Sequence, residues 1–215
     1  MKPFSKWTIE EVEDRFQLVS VNQSDLLENW LRFVYEPFPE EEKLLNVLCK
    51  KLQSRVWDWN EEELKVCFIG LLLYMADFDQ ENYRSFLERE LSVLYENETL
   101  SGTVDFIVAQ GKRSPRRPFF FIHEYKKEQE PPNDPLGQLM IAMIAAQLIN
   151  NDKNPVYGAY VIGRHWYFVV LEGLNYAVSV GHNAAKYEDL KSILGILKNT
   201  RTIIDRLVNQ SVIHC

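Results

Sequence analysis

Apolar residues recur at helical spacing through the first 80 residues and at strand spacing through the next 45. Thr8 followed by Glu11 forms a capping box and predicts a helix to about Leu18. Ser24 predicts the N-cap of a second helix, with Leu27, Trp30, Leu31 and Val34 inward. Pro37 and Pro39 break the chain. A third helix follows, with Leu44, Leu45, Val47, Leu48 and Leu52 apolar and Glu40, Glu41, Glu42, Lys43, Lys50 and Lys51 on a solvated face. Trp57 and Trp59 are expected in the core, with base stacking as the alternative. Asn60, with Glu63 as the capping-box acid, opens a fourth helix carrying Phe68, Leu71, Leu72 and Met75. Strands are expected at 83–95, 102–110 and 118–127, the last ended by Pro131 and Pro132. Asp134 caps the next helix with Pro135 in its first turn. Strands at 156–162 and 165–171 flank a Gly163-Arg164 hairpin turn, and a short strand at 176–180 follows. One or two helices close the chain at 186–209. This order predicts an α/β (α+β) fold with a central mixed sheet flanked by helices. Residues 1–59 form a helical N-terminal extension packed on a core of residues 60–215.

Two of the apolar strands carry ionisable groups. Strict alternation over 119–126 puts Phe120, Ile122, Glu124 and Lys126 on one face. Phe119, Phe121, His123 and Tyr125 then lie on the other. Both faces start apolar, so the strand is expected to be covered on both sides. Asp105 interrupts a similar run. A carboxylate in such a place needs a cation, a donor set or a metal. The bland alternatives are a strand-end surface pair for Glu124 and Lys126, and backbone donors for Asp105. His123 is expected to be structural.

Charge changes the picture only when the chain is divided. The net charge of −7 argues against a nucleic-acid binder. Residues 1–100, however, hold 11 Lys+Arg against 21 Asp+Glu, whereas residues 101–215 hold 13 against 10. The half with the unusual strands is therefore mildly basic, and Lys112, Arg113, Arg116 and Arg117 form its basic cluster. Phosphate contact is the functional expectation for that loop and a solvated hairpin the alternative. Cys49, Cys67 and Cys215 are odd in number, far apart and without a C-x-x-C, which suits a reducing cytoplasm. No segment reads as a signal peptide or a membrane span.

Gly102-x-x-Asp105 followed 19 residues later by Glu124-Tyr125-Lys126 resembles the PD-(D/E)XK nuclease superfamily, the restriction-endonuclease-like fold. The segment from Asn60 resembles the helix before the first strand in such nucleases, where an acid reaches the metal site. Glu61 is the choice here, with Glu62 and Glu63 close behind. Leu136-Gly137-Gln138 resembles the Gln that often follows the motif. The resemblance covers residues 60–171 and departs from the pattern in having Gly102 and Val104 where a Pro-Asp pair gives the family its name. It implies Mg²⁺, with Mn²⁺ as a substitute, held by Asp105, Glu124, Glu61 and the Tyr125 carbonyl. It implies catalysis by these residues with Lys126 and Gln138, on nucleic acid, DNA first. Cutting both strands implies a homodimer. The alternatives are a catalytically silent nucleic-acid-binding or interaction module on the same fold, and a partner-binding sheet protein in which the motif is coincidental.

Overall fold

The computed structural model describes residues 2–129 and 133–213, with side chains to residue 209. Pro131, Pro132 and Cys215 lie outside the described residues.

The elements in chain order are a 3-10 turn Phe4–Lys6, α1 (Ile9–Phe16), β1 (Val19–Ser20), α2 (Asp25–Leu31) and α3 (Pro39–Arg55). Next come α4 (Glu61–Leu64), a π turn Lys65–Ile69, α5 (Gly70–Ala76), β2 (Arg84–Tyr95), β3 (Glu98–Gln110) and β4 (Arg116–Lys126). The chain closes with α6 (Pro135–Asn150), β5 (Val156–Ile162), β6 (His165–Glu172), β7 (Asn175–Val178), β8 (His182–Asn183) and a single helix α7 (Tyr187–Ile213). Eight strands make one mixed sheet in the order β1-β7-β6-β5-β4-β3-β2, with β8 beside β6. The β2-β3-β4 meander is antiparallel, and α6 crosses from β4 to β5, which therefore pair in parallel. The expected α+β architecture, a mixed sheet flanked by helices, is what forms.

The two sheet faces bury separate apolar layers. One holds α1 and α6 over Ile107, Ala109, Ile122 and Val169. The other holds α2, α3, α5 and α7 over Phe106, Phe121, Tyr157 and Phe168. Trp30 centres the second layer, edge-on to Phe121, Tyr157 and Phe168, and its Nε1–H donates to Thr200 at 2.9 Å. Helix α6 is buried nearly all round, because the sheet covers one side and α1 the other. Gly137 has no room for a Cβ, since the backbone of Trp7 to Ile9 occupies that space. The elements before residue 60 bury Phe4, Val12, Leu27, Trp30, Leu45 and Leu48 in these two layers, and they supply β1, which pairs with β7 at one end of the described sheet.

The caps at Thr8, Ser24, Asn60 and Asp134 form as expected. Some apolar positions do not follow the pattern. Helix α1 ends at Phe16, where Gln17 turns left-handed at φ 55°. Val34 lies beyond the end of α2 and is 82% exposed; Val47 on α3 is half exposed. Glu41, expected on the solvated face of α3, is instead half-buried, accepting from Tyr35 and pairing with Lys198 at 3.0 Å. Trp57 is 53% exposed rather than in the core, while Trp59 packs against it. Among the described residues no helix is long and apolar enough to cross a membrane.

Candidate metal centre

The alternation read along 119–126 holds from Phe121 onward and fails before it. Val108 pairs with Phe121 but Ala109 pairs with Phe119, so Phe120 is an extra residue in the ladder. The bulge turns Phe120 to the side of Phe121, and Phe119 to the side of Ile122. Beyond it, Ile122, Glu124 and Lys126 share the face covered by α6. Phe121, His123 and Tyr125 share the other.

Glu124 is fully buried and Lys126 is 6% exposed, so they are no surface pair. Gln138, in the first turn of α6, donates its Nε2–H to Glu124 Oε2 at 2.6 Å. Glu124 Oε1 and Gln138 Oε1 are buried with no donor. Asp105 reaches the same place from β3, where its Oδ2 accepts the backbone N–H of Tyr125 at 2.8 Å. Asp105 is thereby tied to the peptide between Glu124 and Lys126. Tyr125 contributes backbone alone, because its ring lies on the other face with its hydroxyl 3.0 Å from His123 Nδ1.

The three acids on α4 have different contacts. Glu63 closes the capping box on Asn60. Glu62 is three-quarters exposed. Glu61 lies between two ammonium groups, 4.0 Å from Lys126 Nζ and 3.6 Å from Lys65 Nζ.

Lys65 is a member of the site that the strand motifs do not reveal. Its Nζ lies 2.9 Å from Asp105 Oδ1, 2.8 Å from Glu88, 3.1 Å from Glu62 and 3.6 Å from Glu61. Burial alone would favour its neutral form; the hydrogen bonds it donates to Glu88 and Asp105 outweigh that and hold it charged, above the usual lysine value. The i, i+4 spacing of Glu61 and Lys65 was the available signal. Glu88 is the other addition. It lies on β2 directly opposite Asp105, between the pairs Leu87↔Phe106 and Arg89↔Val104, with φ at +48°. A left-handed glutamate costs about 1–2 kcal/mol.

The electrostatics centre on Glu124. Burial first, then the Asp105 charge, push its carboxyl well above the usual range, and Lys126 pulls it back in part. Five carboxylates (Asp105, Glu61, Glu62, Glu88, Glu124) face two ammonium groups, so the cluster is short of positive charge. Among the described residues no three His, Cys, Asp or Glu side chains are already gathered as a metal cage; the cation that gathers them is Lys65. The donor set nevertheless fits a hard divalent ion. Such an ion accepts one or two carboxylates with water and needs oxygen atoms, and two buried oxygens here lack any donor.

A cleft of about 420 Å³ is lined by Phe4, Glu88, Gly102, Thr103 and Gln138. Gly102 is required there, because the Phe4 ring stands where a Cβ would project. The basic cluster lies elsewhere. Arg116 and Arg117 begin β4, and even Arg117 is seven residues before Glu124, which is roughly 23 Å along an extended strand. Lys112 and Arg113 lie in the hairpin beyond. The structure brings together Asp105, Glu124, Lys126, Gln138, Glu61 and the Tyr125 backbone, and leaves the basic cluster at the opposite end. Compared with known protein families and with curated proteins, the chain matches none.

Proposed function

We propose that this chain is a divalent-metal-dependent nuclease of the PD-(D/E)XK type on a restriction-endonuclease-like fold, hydrolysing phosphodiester bonds of DNA. The observation that carries this reading is Glu124: a fully buried carboxylate with one oxygen lacking a donor, beside Asp105 and within the influence of Lys126. Asp105, Glu124, Glu61 and the Tyr125 carbonyl would hold Mg²⁺, or Mn²⁺ in its place. A bound Mg²⁺ supplies a Lewis acid for the phosphate and lowers the pKa of an attacking water. Gln138 fixes Glu124 in rotation, and the Tyr125 N–H fixes Asp105. Lys126 orients the water and offsets charge developing on the phosphate. The basic loop would contact phosphates well away from the cut. Cleavage of both strands of a duplex would take two copies of the chain.

The test is plasmid and oligonucleotide DNA incubated with Mg²⁺, Mn²⁺ or EDTA. Cutting that requires the ion and disappears in Glu124→Gln is expected. Ion-independent cutting, or an active Glu124→Gln, would overturn the assignment. One observation favours a second reading, a catalytically silent nucleic-acid-binding or interaction module: the Lys65 ammonium already neutralises Asp105 at 2.9 Å. That reading predicts nucleic-acid or protein binding with no ion-dependent cutting.

A further inference from the structure

Trp57 is out of place by ordinary burial rules. Large aromatic side chains are mostly covered, yet this one is 53% exposed. It is nonetheless held. The Arg164 guanidinium lies 4.6 Å from the centroid of its ring, within cation–π range. Arg164 is fixed in turn: its Nε–H donates to Glu128 Oε1 at 2.9 Å and its backbone N–H to Glu128 Oε2 at 2.8 Å. The Glu128 side chain is only 6% exposed. It packs onto Gly163, whose φ of +54° and missing Cβ leave the room it needs.

Two separate paths through the chain bring this stack to the rim of the candidate centre. Trp57 precedes Glu61 by four residues, and Glu61 lies 4.0 Å from Lys126 Nζ. Arg164 follows Gly163, whose N–H donates to the carbonyl of Lys126 itself at 2.8 Å. An anchored, exposed indole is thus tied, through Arg164 and Gly163, to the backbone of the lysine assigned to the chemistry.

We infer that Trp57, backed by Arg164, is a stacking platform for one unpaired base of a single-stranded DNA segment entering the site. Every base presents a π face, so such a platform is tolerant of sequence. A paired base hides its faces inside the duplex, so the platform selects unpaired strand. Glu128 satisfies the Arg164 charge, which leaves the pair a flat ring surface rather than a phosphate clamp. Lys51 and Arg55 are exposed at the end of α3 just before Trp57 and suit the adjoining backbone, Arg55 by exchanging its exposed pair with Asp58 at 3.8 Å. The inference rests on the nuclease reading of the neighbouring centre and specifies its substrate.

The experiment is fluorescence anisotropy in EDTA at low salt, where binding is read without cutting, using a labelled 12-nucleotide strand and its duplex. A third set of strands carries a single abasic position moved along the sequence. Trp57→Ala should weaken single-strand binding about 10-fold or more while duplex affinity is unchanged, and Trp57→Phe should keep most of the affinity. One abasic position should weaken the wild type by the same factor and leave Trp57→Ala unaffected. Unchanged single-strand affinity in Trp57→Ala, beside a wild type that cuts with Mg²⁺, removes the platform and spares the nuclease reading. Equal loss on both substrates with a lowered Tm makes the stack a structural clamp and also overturns the inference. A wild type that neither binds nor cuts DNA removes both.

Discussion

His123 and Glu124 are consecutive on β4 and both fully buried, yet they behave as opposites. His123 points into the layer of Phe106, Phe121, Tyr125 and Trp166, with ring centroids 4.1–5.8 Å away. Burial pushes its pKa down to about 3, so it is neutral. Glu124 points into a cluster of carboxylates and ammonium groups, and burial with Asp105 pushes it up. Burial alone therefore does not mark a site. What separates the faces is the company of charges that are unequal in number.

The widest separation should appear in rate. Lys126→Ala, on the Glu124 face, should lower single-turnover cleavage by ~10²–10⁴-fold while the Mg²⁺-induced rise in Tm persists. His123→Leu should cut within a few-fold of wild type. Comparable losses in the two variants would erase the distinction between the faces.

Next in size is the response to pH, where the neighbours have opposite signs. The folded protein holds the His123 proton less tightly than the unfolded chain does. Its contribution to stability is complete above 6.5 and is lost as pH falls toward about 3. The slope is at most ~1.4 kcal/mol per pH unit. His123→Leu should lack that slope in urea melts between pH 7 and pH 4; curves parallel to wild type would show the imidazole charging without penalty. The folded protein holds the Glu124 proton more tightly. Its contribution is present below 4.5 and is lost as pH rises through the elevated value. In EDTA, Glu124→Gln should therefore lose less stability than wild type as pH rises above 4.5, and its Tm should ignore Mg²⁺. A variant that follows wild type in both respects would mean that Glu124 carries no excess charge.

Asp105, Glu124 and Lys126 stand out in the sequence as charges in apolar strands, whereas their union into one set, and Gln138 with them, comes from the resemblance alone. Lys65 and Glu88 were not legible, for different reasons. The role of Lys65 depends on how α4 sits over β3, a tertiary fact. Glu88 matters only through the β2–β3 register, which nothing local dictates in a strand of alternating charge. Read from the two strands alone, Asp105 and Glu124 would be two carboxylates without a cation of their own. Lys65 changes this: Asp105 has its cation, so the excess charge rests on Glu124. The Phe120 bulge was hidden because a strand apolar on both faces does not declare its pleat.

A weaker contrast separates the two ends of β4. If the cluster of Lys112, Arg113, Arg116 and Arg117 contacts phosphates far from the cut, replacing all four by Ala should weaken duplex binding evenly across sequences. It should also flatten the salt dependence by up to ~0.9 per lost contact. Lys65→Met should instead leave the salt slope alone and tighten Mg²⁺ binding by about tenfold, the value of ~1.4 kcal/mol of removed competition. Calorimetric titration showing weaker Mg²⁺ binding would make Lys65 a support of the centre rather than a competitor.

The left-handed turn at Glu88 also bears on how this protein behaves among its own copies. Strand β2, of 12 residues, ends the described sheet, and a straight edge of that length is a template for another chain. The ladder to β3 skips one step at Glu88, among the exposed charges of Arg84, Arg89 and Glu90. That bend interrupts the run of outward amides on which a second strand would stack. One residue thus joins the charge balance beside Asp105, through Lys65, and breaks the regularity of the sheet's edge.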